Sequence, residues 1–194
     1  ENHEAMCRTR LAKVNGIAAR RFNNGLDVAV GASVEDLDGY EELYYPEFDD
    51  PATNNGLAVG LDHDSLRTVN GRISYRDMTV TAAYGQRTKS VPTASFGTPF
   101  NDSRLVTEDW RGFVHAAIDR RWRGTEYAVR AYADAYRYDG TYPYESSVSG
   151  QPNVLSTDYG YGTWWGAEGR ATRPLPGRQT LTAGLEFRDY AEQA

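Results

Sequence analysis

The chain has 194 residues and a formal net charge of −6, with 14 Tyr, 4 Trp, 19 Gly and one Cys. Its mean hydropathy of −0.66 and the lack of any long apolar run exclude a transmembrane helix. The acidic balance, with no basic stripe, argues against a nucleic-acid partner. A single cysteine excludes an internal disulfide framework. The length fits one domain that spans residues 1–194.

Alternating apolar and polar residues predict β-strands along most of the chain. A ragged stretch from Arg8 to Phe22 is followed by Asn23-Asn24-Gly25, which favours a tight hairpin turn. Alternation is then clear from Leu26 to Glu35 and resumes from Val69 to Tyr84, with a break at Arg76-Asp77. Three further strands are predicted from Tyr127 to Tyr136, Trp165 to Ala171 and Leu181 to Phe187.

The strand from Trp110 to Trp122 has the most distinctive pattern. Every second residue gives a largely apolar series with an indole at each end: Trp110, Gly112, Val114, Ala116, Ile118, Arg120 and Trp122. Twelve residues of strand cover roughly 40 Å, or about 28 Å of height at a tilt of about 45°. This height matches the hydrocarbon core of a bilayer and predicts one strand of an outer-membrane β-barrel. Taken alone, the pattern also fits a half-buried strand of a soluble sheet.

Short and long connections alternate between the predicted strands. Breaks near residues 24, 76, 123 and 176 are short, whereas long loops are predicted at 36–66, 85–108 and 139–158. Such loops are uncommon in compact soluble domains. Short periplasmic turns and long extracellular loops are the rule for bacterial outer-membrane barrels. The sequence therefore predicts an all-β fold, an antiparallel transmembrane β-barrel section of about eight strands, with a soluble β-sandwich or lipocalin-like barrel as the alternative.

The predicted topology also suggests a part of a larger barrel. With periplasmic short turns, the first strand descends from outside and the last, which ends near Tyr190, returns to the outside. Complete barrels of this kind begin and end on the periplasmic side, and the residues 191–194 carry no terminal aromatic. We therefore expect a section of a larger barrel, although a closed eight-stranded barrel is geometrically allowed.

Several segments resemble the barrels of TonB-dependent outer-membrane receptors. They are Y-Y-P-E-F-D-D-P-A-T-N-N-G at 44–56, R-T-K-S-V-P-T-A-S-F-G-T-P-F-N-D at 87–102, D-G-T-Y-P-Y at 139–144 and W-W-G-A-E at 164–168. The resemblance implies a receptor and transport barrel in the Gram-negative outer membrane, in contact with its lipid, for a scarce nutrient such as a siderophore, cobalamin or carbohydrate. The family's plug domain and the short box that engages the energy-transducing inner-membrane complex are missing here, so that complex would act only through the missing plug.

Aromatic residues of the predicted loops are the candidate ligand-binding residues. They could stack on a sugar, a siderophore or a corrin, or they could serve only to order a long loop. The six residues are Tyr40, Tyr44, Tyr45, Phe48, Tyr142 and Tyr144.

Acidic residues of the first long loop form the densest cluster of potential metal ligands. They are Glu41, Glu42, Glu47, Asp49 and Asp50, with Asp62-His63-Asp64 nearby. Oxygen ligands suit Ca²⁺, but the spacing fits no regular metal loop. The prediction is a solvated acidic loop, with no metal and no other cofactor.

A hydrolase would require a nucleophile beside a general base and its orienting group. His115, on the polar side beside Asp119, is expected to form a hydrogen bond in the lumen, and neither Ser74 nor Ser95 can be paired with it from the sequence. We therefore expect no enzymatic activity and no catalytic residue. The alternatives are a small self-contained outer-membrane barrel, either a pore or an acyl hydrolase, and a soluble β-module that binds carbohydrate.

Overall fold

The structure is a computed structural model that describes residues 10–147 and 150–194. Its strands are β1 (Leu11–Arg21), β2 (Leu26–Leu37), β3 (Glu42–Tyr44), β4 (Leu57–Val59), β5 (Asp64–Tyr75), β6 (Met78–Ser90), β7 (Val106–Trp122), β8 (Thr125–Tyr144), β9 (Val154–Leu175) and β10 (Gln179–Gln193). Three short 3₁₀ helices cover Pro46–Phe48, Pro51–Gly56 and Ser95–Gly97. In the described part of the chain, no helix has the length and apolar character needed to cross a membrane.

One antiparallel sheet of eight strands dominates the fold, in the order β1-β2-β5-β6-β7-β8-β9-β10. This confirms the prediction of an all-β chain with about eight antiparallel strands. The sheet is not closed, because no pairing joins β1 to β10 among the described residues. Strands β3 and β4 form a separate two-stranded sheet within the first long connection.

The four predicted short turns are confirmed, at residues 22–25, 76–77, 123–124 and 176–178. The long loops are shorter than predicted and span 38–63, 91–105 and 145–153. The predicted limits 36–66, 85–108 and 139–158 are wrong because the strands continue past their apolar rows. Backbone pairing still joins Tyr142 to Ser156 and Lys89 to Thr107, beyond the residues at which apolar and polar side chains alternate.

The register places like residues side by side on two chemically different faces. Val114 is paired with Ala82 and Ala133, and Ile118 is paired with Met78 and Val129. We call this side the apolar face. Its apolar residues include Val14, Val28, Val30, Val69, Ile73, Val80, Val114, Ile118, Val129, Ala131, Ala167, Leu181 and Leu185.

The opposite side, which we call the polar face, carries cross-strand ion pairs. They are Lys13–Glu35 at 2.7 Å, Arg21–Asp27 at 2.7 Å, Arg111–Asp134 at 3.2 Å and Arg130–Glu168 at 3.0 Å. Opposite charges directly across a strand pair stabilise a sheet and keep its register. The alternating sequence is thus resolved into one face that is mainly apolar between its ends and one face of paired charges.

Burial along the central strands is the reverse of that in a water-soluble sheet. On β8, Ala131 and Ala133 of the apolar face are exposed, whereas Tyr132 and Asp134 of the polar face are buried, each at 8% exposure. Leu185 of the apolar face is 77% exposed. Among the described residues, the most buried aliphatic side chains are instead Ala58, Leu61 and Leu105, outside the eight-stranded sheet, and Pro143, at the loop end of β8. The apolar core therefore lies in the loops and at the end of β8 that adjoins them.

Candidate ligand-binding loops

The three long loops are joined to one another through the second of them. The ring of Phe100 stacks on Phe48 of the first loop, with centroids 4.4 Å apart. The side-chain oxygen of Asn101 accepts a hydrogen bond from the Val59 N–H at 3.1 Å. Asp102 is hydrogen-bonded to Asn153 of the third loop. We call residues 38–63, 91–105 and the described part of 145–153 the loop cluster.

Local backbone chemistry shapes the first loop. Gly39 has φ +71, and a Cβ at this position would lie 2.1 Å from the carbonyl oxygen of Asp62, so only glycine fits. The Asp50 carboxylate accepts a hydrogen bond from the Ala52 N–H at 2.8 Å and caps the following 3₁₀ helix. Strand β3 precedes this helix and strand β4 follows it, and the two strands pair with each other. The segment is therefore ordered, in contrast to the irregular loop that its composition predicts.

A first aromatic group joins two of the predicted site residues. Tyr45 meets Phe100 edge to face at 5.8 Å, and Phe48 stacks on the same ring. Both arrangements are favourable for aromatic pairs. Tyr44 lies beside them on β3, 55% exposed, and its hydroxyl donates to Asp49 at 3.0 Å. This group therefore has a packed base and an accessible tyrosine.

A second aromatic group lies at the end of β8. Tyr142 is 6% exposed, its hydroxyl is hydrogen-bonded to that of Tyr138, and Phe96 meets its ring edge to face at 5.8 Å. Phe96 itself is 79% exposed and has a φ of 59°. A bulky residue at positive φ is an outlier, and such outliers concentrate at functional sites. With 79% of its surface exposed, Phe96 is the most accessible aromatic residue of the loop cluster.

The structure brings together only some of the six predicted residues. Tyr45 and Phe48 share a partner, whereas Tyr142 belongs to the second group. Tyr40 anchors the first loop through its N–H, which donates to Asp62 at 3.2 Å, and Tyr144 is half-buried at the end of β8. The prediction missed Phe96, Phe100 and Tyr138. The first two lie in a predicted loop and meet the criterion that selected the others.

The acidic residues of the first loop are mostly engaged within the protein. Asp49 and Asp50 accept the bonds described above, Asp62 pairs with Lys89 at 3.2 Å and Asp64 pairs with Arg87. A different trio, Asp36, Asp38 and His63, offers ligand atoms within 4.8 Å of one another where the end of β2 meets the two ends of the first loop.

One carboxyl group of the cluster has a strongly shifted pKa. The Arg104 guanidinium donates to Asp102 at 2.5 and 2.9 Å, and the Arg104 N–H donates at 3.0 Å. These bonds lower the pKa of Asp102 to about 2, and the bonds from the guanidinium group make the largest contribution. In the first loop, the hydrogen bond to Asp49 raises the pKa of the Tyr44 hydroxyl. Both interactions are intact at neutral pH.

Below the loops, a network of charged and aromatic side chains crosses the polar face. Tyr132 of β8 reaches over Gly166 of β9, where a Cβ would lie 2.5 Å from its hydroxyl. That hydroxyl accepts from Arg188 at 3.0 Å and donates to Glu186 at 3.4 Å, both on β10. A depression of about 560 Å³ on this side is lined by Arg130, Glu168, Arg170 and Glu186. The network places charged groups of both signs side by side on the polar face.

His115 lies on the polar face, as predicted, and its carboxylate neighbour is on the adjacent strand. Residues four apart on one strand are about 13 Å from each other, and the Nε2 atom of His115 instead lies 3.7 Å from Asp134 on β8. The Ser74 hydroxyl is hydrogen-bonded to that of Thr79 at 3.2 Å, and the Ser95 hydroxyl to that of Thr93 at 2.9 Å. Both seryl hydroxyls thus have partners other than the histidine.

The arrangement as a whole suits noncovalent capture of a ligand. Accessible rings project from a packed loop base, and paired charges continue below it along the polar face. Comparison with protein-family models, with curated proteins and with solved structures finds no match.

Proposed function

We propose that this chain is a section of an outer-membrane receptor and transport barrel of the TonB-dependent type. In this proposal the apolar face contacts membrane lipid and the polar face lines the lumen. The loop cluster captures a scarce nutrient of the siderophore, cobalamin or carbohydrate class. The chain contributes binding and passage, without chemistry of its own.

The observation that carries the proposal is the inverted burial of the two faces. Soluble monomers rarely expose a contiguous apolar patch larger than a few hundred Å², yet exposed apolar rows extend from Val14 on β1 to Leu185 on β10. In a bilayer those rows would meet hydrocarbon, and the ion pairs of the other face would meet water. The alternation of burial on β8 is what such an arrangement requires.

Aromatic residues at both ends of the apolar face further support a membrane location. Tyr75, Trp122 and Tyr127 lie near the short turns, and Tyr84, Trp110 and Trp165 lie towards the loops. Outer-membrane barrels carry aromatic girdles at both interfaces, about 25 Å apart. With strand tilt, the rows between these rings span about that height.

The open sheet favours a section of a larger barrel over a closed eight-stranded barrel. Strands β1 and β10 each have one side without a partner strand among residues 10–147 and 150–194. Unpaired edges of this length favour association with further strands. Additional antiparallel strands would complete a larger barrel around a lumen lined by the polar face.

Tryptophan quenching by lipid tests the membrane part of the proposal. Trp164 and Trp165 are neighbours on β9, but Trp165 belongs to the apolar face and Trp164 lies against Arg111 on the polar face. Two variants would each retain one of these indoles, with the other tryptophans replaced by phenylalanine. In vesicles with brominated acyl chains, we expect strong quenching of Trp165 and weak quenching of Trp164. Equal quenching, or none, would contradict the proposal.

Ligand titration tests the receptor part. The reconstituted chain would be titrated calorimetrically with ferrichrome, cyanocobalamin and maltotriose as representatives of the three classes. We expect one probe to bind, and Phe96→Ala to weaken that binding by about tenfold or more, since exposed aromatic rings often dominate recognition. The matched control is Tyr159→Ala, which removes another exposed ring outside the loop cluster. No binding of any probe by a chain that inserts in lipid would overturn the receptor part alone.

A further inference from the structure

The rim formed by the short turns is rich in arginine. On or beside the apolar face this rim carries Arg20, Arg76, Arg120, Arg123, Arg173 and Arg178, and all six are exposed. We call these six residues the arginine rim. Apart from Arg120, which lies 3.9 Å from Asp77, none of them forms an ion pair with a described residue. The rim therefore presents unpaired positive charge from a chain whose net charge is −6.

Three of these arginines occupy backbone positions that disfavour them. Arg76, Arg123 and Arg178 have φ values of 55°, 48° and 63° in three different hairpin turns. Glycine, asparagine and aspartate are the usual residues at such positions because larger side chains meet steric strain there. The recurrence of arginine against this preference indicates a role for the guanidinium group.

The same arginines adjoin the aromatic border of the apolar face. The guanidinium of Arg123 lies 4.5 Å from the ring centre of Trp122, and that of Arg76 lies 5.0 Å from the ring centre of Tyr75. Arg20 is similarly placed over Phe22 at 4.9 Å. The cations are thus held where the apolar face ends, at the depth of lipid headgroups if that face contacts hydrocarbon.

The opposite rim differs in its charge pairing. There Arg104 is bonded to Asp102, Arg87 to Asp64 and Arg137 to Asp139. Those guanidinium groups are thus paired with carboxylates of the protein itself. Within the described residues, five arginines of the arginine rim have no ion pair, whereas on the opposite rim only Arg10 and Arg67 have none.

We propose that the arginine rim binds the phosphate groups of anionic phospholipids in the leaflet that the short turns face. Guanidinium groups bind phosphate oxygens through paired, charge-assisted hydrogen bonds. Each basic residue near an anionic membrane surface strengthens association severalfold. This inference rests on the proposed membrane location of the apolar face, and it adds a lipid preference and a binding surface.

Vesicle binding of the full chain tests the inference. Affinity would be measured for vesicles of phosphatidylcholine alone and for an equimolar mixture with phosphatidylglycerol. The test variant carries Arg76→Asn, Arg123→Asn and Arg178→Asn, because asparagine tolerates positive φ and keeps the turns foldable. The control variant carries Arg10→Asn, Arg67→Asn and Arg137→Asn, which remove the same charge from the opposite rim without a substitution in the loop cluster.

We expect the wild-type chain and the control to bind the anionic vesicles at least about tenfold more tightly than the neutral vesicles. The test variant should lose most of that preference and keep its affinity for phosphatidylcholine. Because the whole chain is acidic, nonspecific attraction would give the opposite preference. Replacement of the three arginines by lysine should preserve most of the effect.

Two results of the vesicle measurements would overturn the inference. One is equal loss of preference in the test and control variants, and the other is wild-type binding that does not depend on phosphatidylglycerol. Tighter binding of a DNA oligonucleotide than of anionic vesicles would also overturn it, in favour of a nucleic-acid contact. Failure of the proposed function is distinct, because the wild-type chain would then bind neither kind of vesicle.

Discussion

The loop cluster and the apolar face of the sheet have opposite relations between hydrophobicity and burial. In the loops, Leu105 is 2% exposed and Ala58 is 1% exposed, as in a protein folded in water. On the sheet, Val114 and Ile118 are each 46% exposed. The loops therefore contain their own apolar core, whereas the sheet has apolar rows that only another phase or another molecule can cover.

This difference separates two sources of stability within one chain. The loop cluster is held by packing, aromatic stacking and an ion pair that involves Asp102, all internal to the protein. The sheet is held by its backbone ladder and by the charges of the polar face, and its apolar face contributes only when it is covered. Substitutions in the two regions should therefore respond differently to the presence of lipid.

The largest expected effect is the loss of the loop core in Leu105→Ala. Truncation of a buried leucine costs about 2–5 kcal/mol, and here the loss should be nearly the same in detergent and in lipid. Hydrogen exchange of the Val91 N–H, which donates to the Leu105 carbonyl, would report the local opening. Leu155→Ala, at a 50% exposed position on β9, serves as the control and should change this exchange little.

A charge on the apolar face should have the next largest effect. Arginine near the middle of a lipid-facing strand costs about 2–4 kcal/mol, so Ala116→Arg should lower the free energy of unfolding from lipid vesicles by about that amount. Ala117→Arg, one residue away on the polar face, should cost less than about 1 kcal/mol. Urea titration measures both. A larger loss in Ala117→Arg would show that the two faces have been assigned the wrong way round.

Removal of the aromatic link between the first two loops should have a smaller effect. Phe100→Leu keeps apolar volume but loses the stack on Phe48 and the edge contact with Tyr45, worth about 0.5–1.5 kcal/mol. Faster hydrogen exchange of the Val59 N–H, bonded to Asn101, is the expected sign. Phe96→Leu is the comparison: because that ring is 79% exposed, its replacement should leave this exchange unchanged.

The last prediction concerns acid pH. The folded chain holds the pKa of Asp102 at about 2, below the value of about 4 for an unfolded aspartate. Its stabilisation is therefore fully present above about pH 4 and is lost as the pH falls through about 2. The difference in melting temperature between wild type and Asp102→Asn should be constant near neutrality and should vanish below about pH 2. A difference that grows on acidification would contradict this assignment.

The sequence predicted the regular part of the fold well, for a physical reason. From Val114 to Ile118 a period of two distinguishes the faces, and the hairpin signals at Asn24-Gly25 and Arg123-Gly124 lie where the chain turns. The strands were predicted too short because Lys89, Thr107 and their neighbours lie beyond the apolar rows, on the side of the loops. Where both faces carry polar side chains, the sequence does not alternate and so does not indicate that the backbone pairing continues.

The candidate site was predicted less completely than the sheet. Loop composition alone selected Tyr45 and Phe48, but it could not reveal that Phe100, about fifty residues later, joins them. Likewise, the partner of His115 depends on the β7–β8 register, which places Asp134 beside it. Contacts between segments distant in sequence depend on the three-dimensional arrangement, which alternation does not specify.

The most direct test of the membrane assignment compares two adjacent alanines of β7. In a Cys7→Ser background, Ala116→Cys on the apolar face and Ala117→Cys on the polar face would each carry a nitroxide spin label in lipid vesicles. We predict that oxygen, which is concentrated in hydrocarbon, relaxes the label at 116 more strongly, and that a water-soluble nickel complex relaxes the label at 117 more strongly. Equal accessibility at both positions, or the reverse order, would contradict a lipid-facing apolar face.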